Sequence, residues 1–291
     1  MRHEPVLLGS ALELLAVRPG GRYVDGTLGL AGHASEILRQ SAPDGTLLGL
    51  DRDGETLEEA RLNLAPFGDR ARLVHGDFRE IPHFLEGARA DGILLDLGVS
   101  SVQIDSPERG FSFRAEGPLD MRMDRTHGET AEEVVNRTRE KDLADLIYAF
   151  GEERASRKVA GAIVRARRAG RIRTTSELAR IVRSAVRADR SGIDPATRTF
   201  QALRIAVNRE LEGLSQALES LAGCLAEGGR LVVIAFHSLE DREVKQTFRG
   251  LSQRGFRLLT RKPLRPSPEE EAQNPRSRSA RLRGLAREDA A

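Results

Sequence analysis

The chain has 291 residues, 39% hydrophobic and 31% charged, with a single cysteine, Cys224; this is a globular composition long enough for one large or two ordinary domains. One cysteine excludes a disulfide framework and a four-cysteine zinc site, and a reducing cytoplasm is the expected compartment; no metal is expected, and no apolar run approaches the roughly 18 residues of a membrane span. The formal net charge of +2 conceals two basic blocks on an acidic remainder, twelve Lys/Arg against two acids over 154–190 and ten against three over 254–287, a distribution that points to a polyanion, most economically a nucleic acid.

The chain begins "MRHEPVLL", without the apolar core and cleavage site of a signal peptide. Over 1–104, "RYVD" (22–25), "TLLGLD" (46–51), "ARLVHG" (71–76) and "GILLDLG" (92–98) are near-continuous apolar runs of strand length, separated by helical patterns in "GHASEILRQ" and "DGETLEEARLNLA". Strand and helix in alternation predict a parallel sheet covered on both faces. Over 105–195 only helix signals remain: Thr130 with Glu133 and Thr174 with Glu177 as capping boxes, and Leu143, Leu146, Ile147 and Phe150 at helical spacing. Asp194-Pro195 predicts a helix start, and apolar residues from Phe200 to Leu225 at steps of three and four predict one long helix ended by Gly228-Gly229. "RLVVIAFH" (230–237), "FRLLTR" (256–261) and "ARLRGLA" (280–286) return to strand pattern, and 262–276 is expected to be a polar surface loop. The expected organisation is a discontinuous α/β domain, 1–104 and 209–291, with an all-helical insertion at 105–208.

The stretch Asp25-Gly-Thr-Leu-Gly-Leu-Ala-Gly-His33 follows the first strand and opens a helix, where open parallel sheets bind ligands. Gly29 and Gly32 are expected to supply positive φ and close ligand approach, and the helix start offers N–H groups to an anion. Glycines at 26, 29 and 32 fail the dinucleotide spacing, and no Gly-Lys-Ser/Thr follows. Asp51 ends strand two, where an acid accepts from ribose hydroxyls; Phe78 after strand three suits a purine ring, with Asp77 beside it for the amino group. Adenosine with a short anionic end fits, and a rim of Asp25, Asp51 and Asp96 without lysine suits a sulfonium, which makes S-adenosylmethionine the leading cofactor. His33, in the first helical turn, is expected to donate to the methionine carboxylate; a polar helix-start residue facing water is the alternative.

"DGTLGLAGH", "LLDLGVSS", "RGFSF", "GPLDMRMD", "TFQALRIAVNREL", "FHSLEDR" and "NPRSRSARLR", in this order over nearly the whole chain, resemble the RsmH (MraW) family of bacterial methyltransferases acting on N4 of a cytidine in 16S ribosomal RNA. The resemblance implies a class I S-adenosylmethionine-dependent methyltransferase fold, Rossmann-like, with a helical insertion for RNA recognition. It implies 16S rRNA of the small ribosomal subunit as partner, with no DNA and no membrane. It also implies cofactor contacts at Ala31, Gly32, His33, Asp51, Phe78, Asp96 and Gln103. Leu30 and Ala31 stand where family members frequently have glycine; Ala31 is expected to act through its backbone.

An exocyclic cytosine nitrogen is a poor nucleophile and needs in-line placement and an acceptor for its N–H. Many amino-methyltransferases supply these from Asp/Asn-Pro-Pro-Tyr/Phe after strand four; this chain has Asp96-Leu-Gly-Val-Ser-Ser101 there. Asp96 is the candidate catalytic residue, orienting the amine, binding cofactor, or both; the Leu97 carbonyl is an alternative. His237, after strand five, is a candidate proton acceptor, RNA contact or helix cap with Ser238. Carbon-5 methylation needs a cysteine nucleophile, and Cys224 is expected in the core of the long helix. "RGFSFRAEGPLDMRMD" (109–124) is expected to fold over cofactor and nucleotide. A non-catalytic ribosome assembly factor is the alternative function, and a dinucleotide oxidoreductase is disfavoured by the glycine spacing. Oligomeric state is left open by the sequence.

Overall fold

The computed structural model describes residues 5–186 and 192–288. In chain order the elements are α1 (Leu8–Leu15), β1 (Arg22–Asp25), α2 (Gly32–Gln40), β2 (Thr46–Asp51), α3 (Gly54–Leu64), β3 (Ala71–His75), α4 (Ile81–Phe84), β4 (Ala90–Asp96), α5 (Ser101–Asp105), α6 (Ala131–Arg137), α7 (Glu140–Gly151), α8 (Ser156–Ala169), α9 (Thr175–Ala185), α10 (Ala196–Asn208), α11 (Leu214–Gly223), β5 (Leu225–Ala235), α12 (Ser238–Leu251), β6 (Phe256–Leu258), α13 (Pro268–Gln273) and β7 (Arg281–Arg287). They form two compact units, one of residues 1–98 and 213–291, the other of 99–212.

The first unit is a seven-stranded sheet in the order β3-β2-β1-β4-β5-β7-β6. All neighbours from β3 to β5 are parallel; β7 runs antiparallel to both β5 and β6. The interior strands read as unbroken apolar runs because helices cover both faces. Val24 lies opposite Leu48 on one side and Ile93 on the other, and Leu94 lies opposite Val232; all but Leu48 are fully buried, and Leu48 nearly so. One buried polar tie fixes a helix to the sheet: Asp241 on α12 accepts from Arg283 Nε at 2.7 Å and from Arg281 at 3.2 Å, both on β7. Order reverses between β1 and β4, which places the ligand edge of the sheet at their carboxyl ends.

The second unit packs α6 to α10 around Leu143, Ile147, Val159, Ile163, Leu178, Val182 and Leu203. The capping boxes expected at Thr130/Glu133 and Thr174/Glu177 are both present. Arg183 pairs with Asp194 at 2.8 Å, and Asp194 accepts the Ala196 N–H at the start of α10. Arg187, Asp189 and Arg190 of the first basic block, and Met1 to Glu4, lie outside the described residues. No helix among the described residues is long and apolar enough to cross a membrane.

Three local expectations are corrected. The long helix from residue 196 is two helices: Arg209 ends α10 at φ 50°, Gly213 precedes α11 at φ 65°, and the chain turns between them. The apolar rhythm runs on because both helices bury one face. β5 begins at Leu225, not after Gly228-Gly229, because Leu225 already pairs with Ala90 across an irregularity in register; Cys224 is half-buried at the end of α11. Segment 262–276 is not an unstructured loop, since Ser267 caps α13 by accepting from the Glu270 N–H.

A side chain at Gly213 would meet nothing within 4 Å, so its conformation alone demands glycine. Gly213→Ala is expected to destabilise the protein by about 1 kcal/mol through the left-handed backbone penalty; an unchanged denaturation midpoint would contradict the observed helix break.

Candidate active site

The glycine loop is stitched to the sheet by its own backbone. Gly26 N–H donates to the Leu94 carbonyl (2.9 Å), Leu28 N–H to Leu50 (2.8 Å), and Ala31 N–H back to Leu28 (2.8 Å). Its small residues serve different ends. At Gly26 a side chain would run into Leu95, Ile81 and Phe78, so protein packing demands that glycine. Gly29 has φ +51° and donates its N–H to Asp51 Oδ2 at 2.7 Å. Positive φ was expected at Gly32, but Gly32 is helical; the left-handed residue is Ala31, at φ 63° and fully buried. An alanine there carries about 1–2 kcal/mol of strain, the physical reason a glycine would suit the position.

Three strands end in acids on this edge. Asp25, ending β1, is buried and pushed up to about 7, by desolvation first and by the Asp51 charge, against one N–H donated by Thr27 at 3.1 Å. Asp51, ending β2, is pushed up to about 6 by burial, although Asp53 N–H (2.8 Å) and Gly29 N–H donate to its two oxygens. Asp96, ending β4, is raised well above the usual carboxylate range by burial, then by the charges of Asp25 and Glu240. Its Oδ1 is buried and has no hydrogen-bond partner among the described residues. The Asp96 main-chain N–H donates to Thr27 Oγ1 at 2.6 Å, so Thr27 joins the ends of β1 and β4. A buried carboxylate oxygen without a donor is costly, and a cation or an N–H group placed beside it removes that cost. The donor set is acidic and lacks lysine, and so fits a cationic ligand with ribose hydroxyls better than a pyrophosphate.

His33 is buried, with Nε2 3.1 Å from the Val6 carbonyl. Phe78 is buried after β3, with the Arg79 guanidinium 4.6 Å from its ring centre; Asp77 caps this turn and pairs with Arg52 (3.1 Å) and Arg79 (2.9 Å). His237 is the N-cap of α12, its Nδ1 accepting from the Glu240 N–H while the Glu240 carboxylate accepts from the His237 and Phe236 N–H groups. Gln103 belongs to the second unit, where it is buried and closes a capping box with Ser100 at the start of α5. The sequence reading missed Thr27 and Glu240. For Glu240 the signal was present as His237-x-x-Glu240, the spacing of a capping box; Thr27 carried no signal, because its role needs β4 beside β1.

The family model described as "MraW methylase family" matches residues 1–288. A protein of Acidobacterium capsulatum named "Ribosomal RNA small subunit methyltransferase H" is 53% identical over 97% of this chain and 97% of its own length. One of the same name from Syntrophobacter fumaroxidans is 50% identical over 98% and 96%. Among solved structures, that of the protein PH0851 has a TM-score of 0.51 at 14% identity, covering 99% of this chain and 47% of that one, a likeness of fold alone. Sheet order, acid-rimmed edge and full-length match agree: this is a Rossmann-like methyltransferase with S-adenosylmethionine as its cofactor, and the chain belongs to the MraW methylase family.

Proposed function

We propose that the chain methylates N4 of a cytidine in 16S rRNA of the small ribosomal subunit, working in the cytoplasm. The observation that carries this reading is the buried, unpartnered Oδ1 of Asp96 beside Asp25 at the switch point. An exocyclic amine about to be methylated needs such an acceptor for its N–H, and a cationic methyl donor needs such a carboxylate near its charge.

In this reading Asp51 takes the ribose hydroxyls of the cofactor, using lone pairs that its two backbone donors leave over. Phe78 takes the adenine, and main-chain atoms of Ala31, Gly32 and His33 take the methionine end. S-adenosylmethionine supplies an electrophilic methyl group on a positively charged sulfur. Asp96 holds the amine by one N–H and so aims the nitrogen lone pair at that methyl. Once the nitrogen has become cationic its proton leaves through the same carboxylate. Residues 105–208 serve RNA recognition, with Arg154, Arg157, Lys158, Arg165 and Arg168 exposed along and just before α8. Such arginines contact phosphates and make affinity fall with salt; the target base must be unpaired or turned out of its stack. A non-catalytic assembly factor would need the same binding features but not the unpartnered Asp96.

Incubating the protein with methyl-labelled S-adenosylmethionine and unmethylated small subunits, then analysing nucleosides by mass spectrometry, is expected to yield N4-methylcytidine. Cofactor binding without label in RNA would establish the assembly-factor reading, and label at carbon 5 would refute the chemistry. Asp96→Asn is expected to lower kcat by about 100-fold or more; near-normal turnover would remove Asp96 from the reaction. Asp51→Asn is expected to weaken S-adenosylmethionine binding by roughly 10–100-fold, from loss of a charged acceptor to two hydroxyls; unchanged affinity by calorimetry would refute the ribose assignment.

A further inference from the structure

The N-terminal segment 5–7 lies on the cofactor loop, held from two places far apart in sequence. Pro5 occupies the space that a side chain on Gly32 would need, so the first turn of α2 carries glycine to let this segment lie against it. Val6 and Leu7 are buried. The Val6 carbonyl lies 3.1 Å from His33 Nε2. A carbonyl can only accept, so Nε2 carries the hydrogen and spends it on Val6. Leu7 precedes α1 in the left-handed region, at φ 53°, a strained place for a leucine. Its N–H donates to Glu270 Oε1 at 2.7 Å, across 263 residues of sequence. Glu270 reaches this point because Ser267 caps the short helix α13.

We propose that His33 and Glu270 are positioning residues that clamp segment 5–7 over the start of α2, and that cofactor affinity depends on this clamp. The proposal rests on the reading of the 26–33 loop as the S-adenosylmethionine site. It changes the part expected of His33: with its Nε2 hydrogen committed to Val6, the ring does not donate that hydrogen to the methionine carboxylate. The anion is left to main-chain N–H groups of the first turn, which by position lack an acceptor inside the helix. The clamp holds that turn and the strained Ala31 in place. It also gives segment 262–276 a purpose, since its helix supplies the acceptor for Leu7.

The test uses the full chain and three readouts: amide hydrogen exchange at Leu7, S-adenosylmethionine affinity by calorimetry, and KM and kcat on small subunits. Glu270→Ala is expected to speed Leu7 exchange and to raise Kd and the cofactor KM about tenfold, with kcat at saturating cofactor unchanged. Glu270→Gln keeps an oxygen acceptor in place and is expected to restore most of the affinity, which a merely destabilised fold would not do. Faster Leu7 exchange with unchanged Kd would overturn the coupling, and unchanged exchange would overturn the contact. Should Glu270→Ala fail to fold, Glu270→Gln and wild type decide: Leu7 exchange equal to that of free peptide in wild type would overturn the clamp. A wild-type protein that does not bind S-adenosylmethionine at all would instead overturn the site reading.

Discussion

Carboxylates are held out of water at one edge of a sheet, and two of them, Asp25 and Asp96, have no positive charge beside them among the described residues. Asp25 and Asp96 receive no hydrogen bond or ion pair from any lysine or arginine among the described residues. The main chain gives Asp25 one N–H and Asp51 two, which is less than ionised acids need at that depth. A fold can afford such groups only if they are neutral at rest or if a ligand supplies the missing charge. The protonation raised by burial and the affinity for a cationic methyl donor are therefore two faces of one constraint.

The surrounding structure serves that constraint. The parallel strands deliver acids to one edge because each of β1, β2 and β4 ends in aspartate. The glycine loop closes over them, bound to β4 and β2 by main-chain hydrogen bonds, with Thr27 bridging Asp25 and Asp96. Glu240, seated by the cap of α12, adds a further negative charge toward Asp96. Few mobile polar side chains are needed, so the site is set by backbone geometry, and its precision comes from the core beneath it.

Where the signal was local, the sequence showed it. The strands β1 and β2 could be bounded to the residue, since buried parallel strands read as unbroken apolar runs between glycines and acids. The caps at Thr130 and Thr174 were legible for the same reason. The break at Arg209–Gly213 was hidden because helices on either side bury faces in step. Ser267-Pro-Glu-Glu was a helix start obscured by a proline-rich surrounding. Nothing in the local pattern marks the left-handed backbone that Ala31 adopts. The contacts of Thr27, and of Glu270 with Leu7, depend on which elements lie side by side, and no spacing in the chain reveals that.

A positively charged donor is received by carboxylates whose burial favours the protonated form. Calorimetric titration of the protein with S-adenosylmethionine near pH 6.5, in two buffers of different ionisation enthalpy, counts the protons released. Asp25 is raised to about 7 and Asp96 lies well above the ordinary range, and a nearby cation favours their charged forms. Release of roughly one proton for each donor bound is predicted, with clearly less for S-adenosylhomocysteine, whose sulfur is neutral. Binding heats that are the same in both buffers, or equal release for donor and product, would contradict the account.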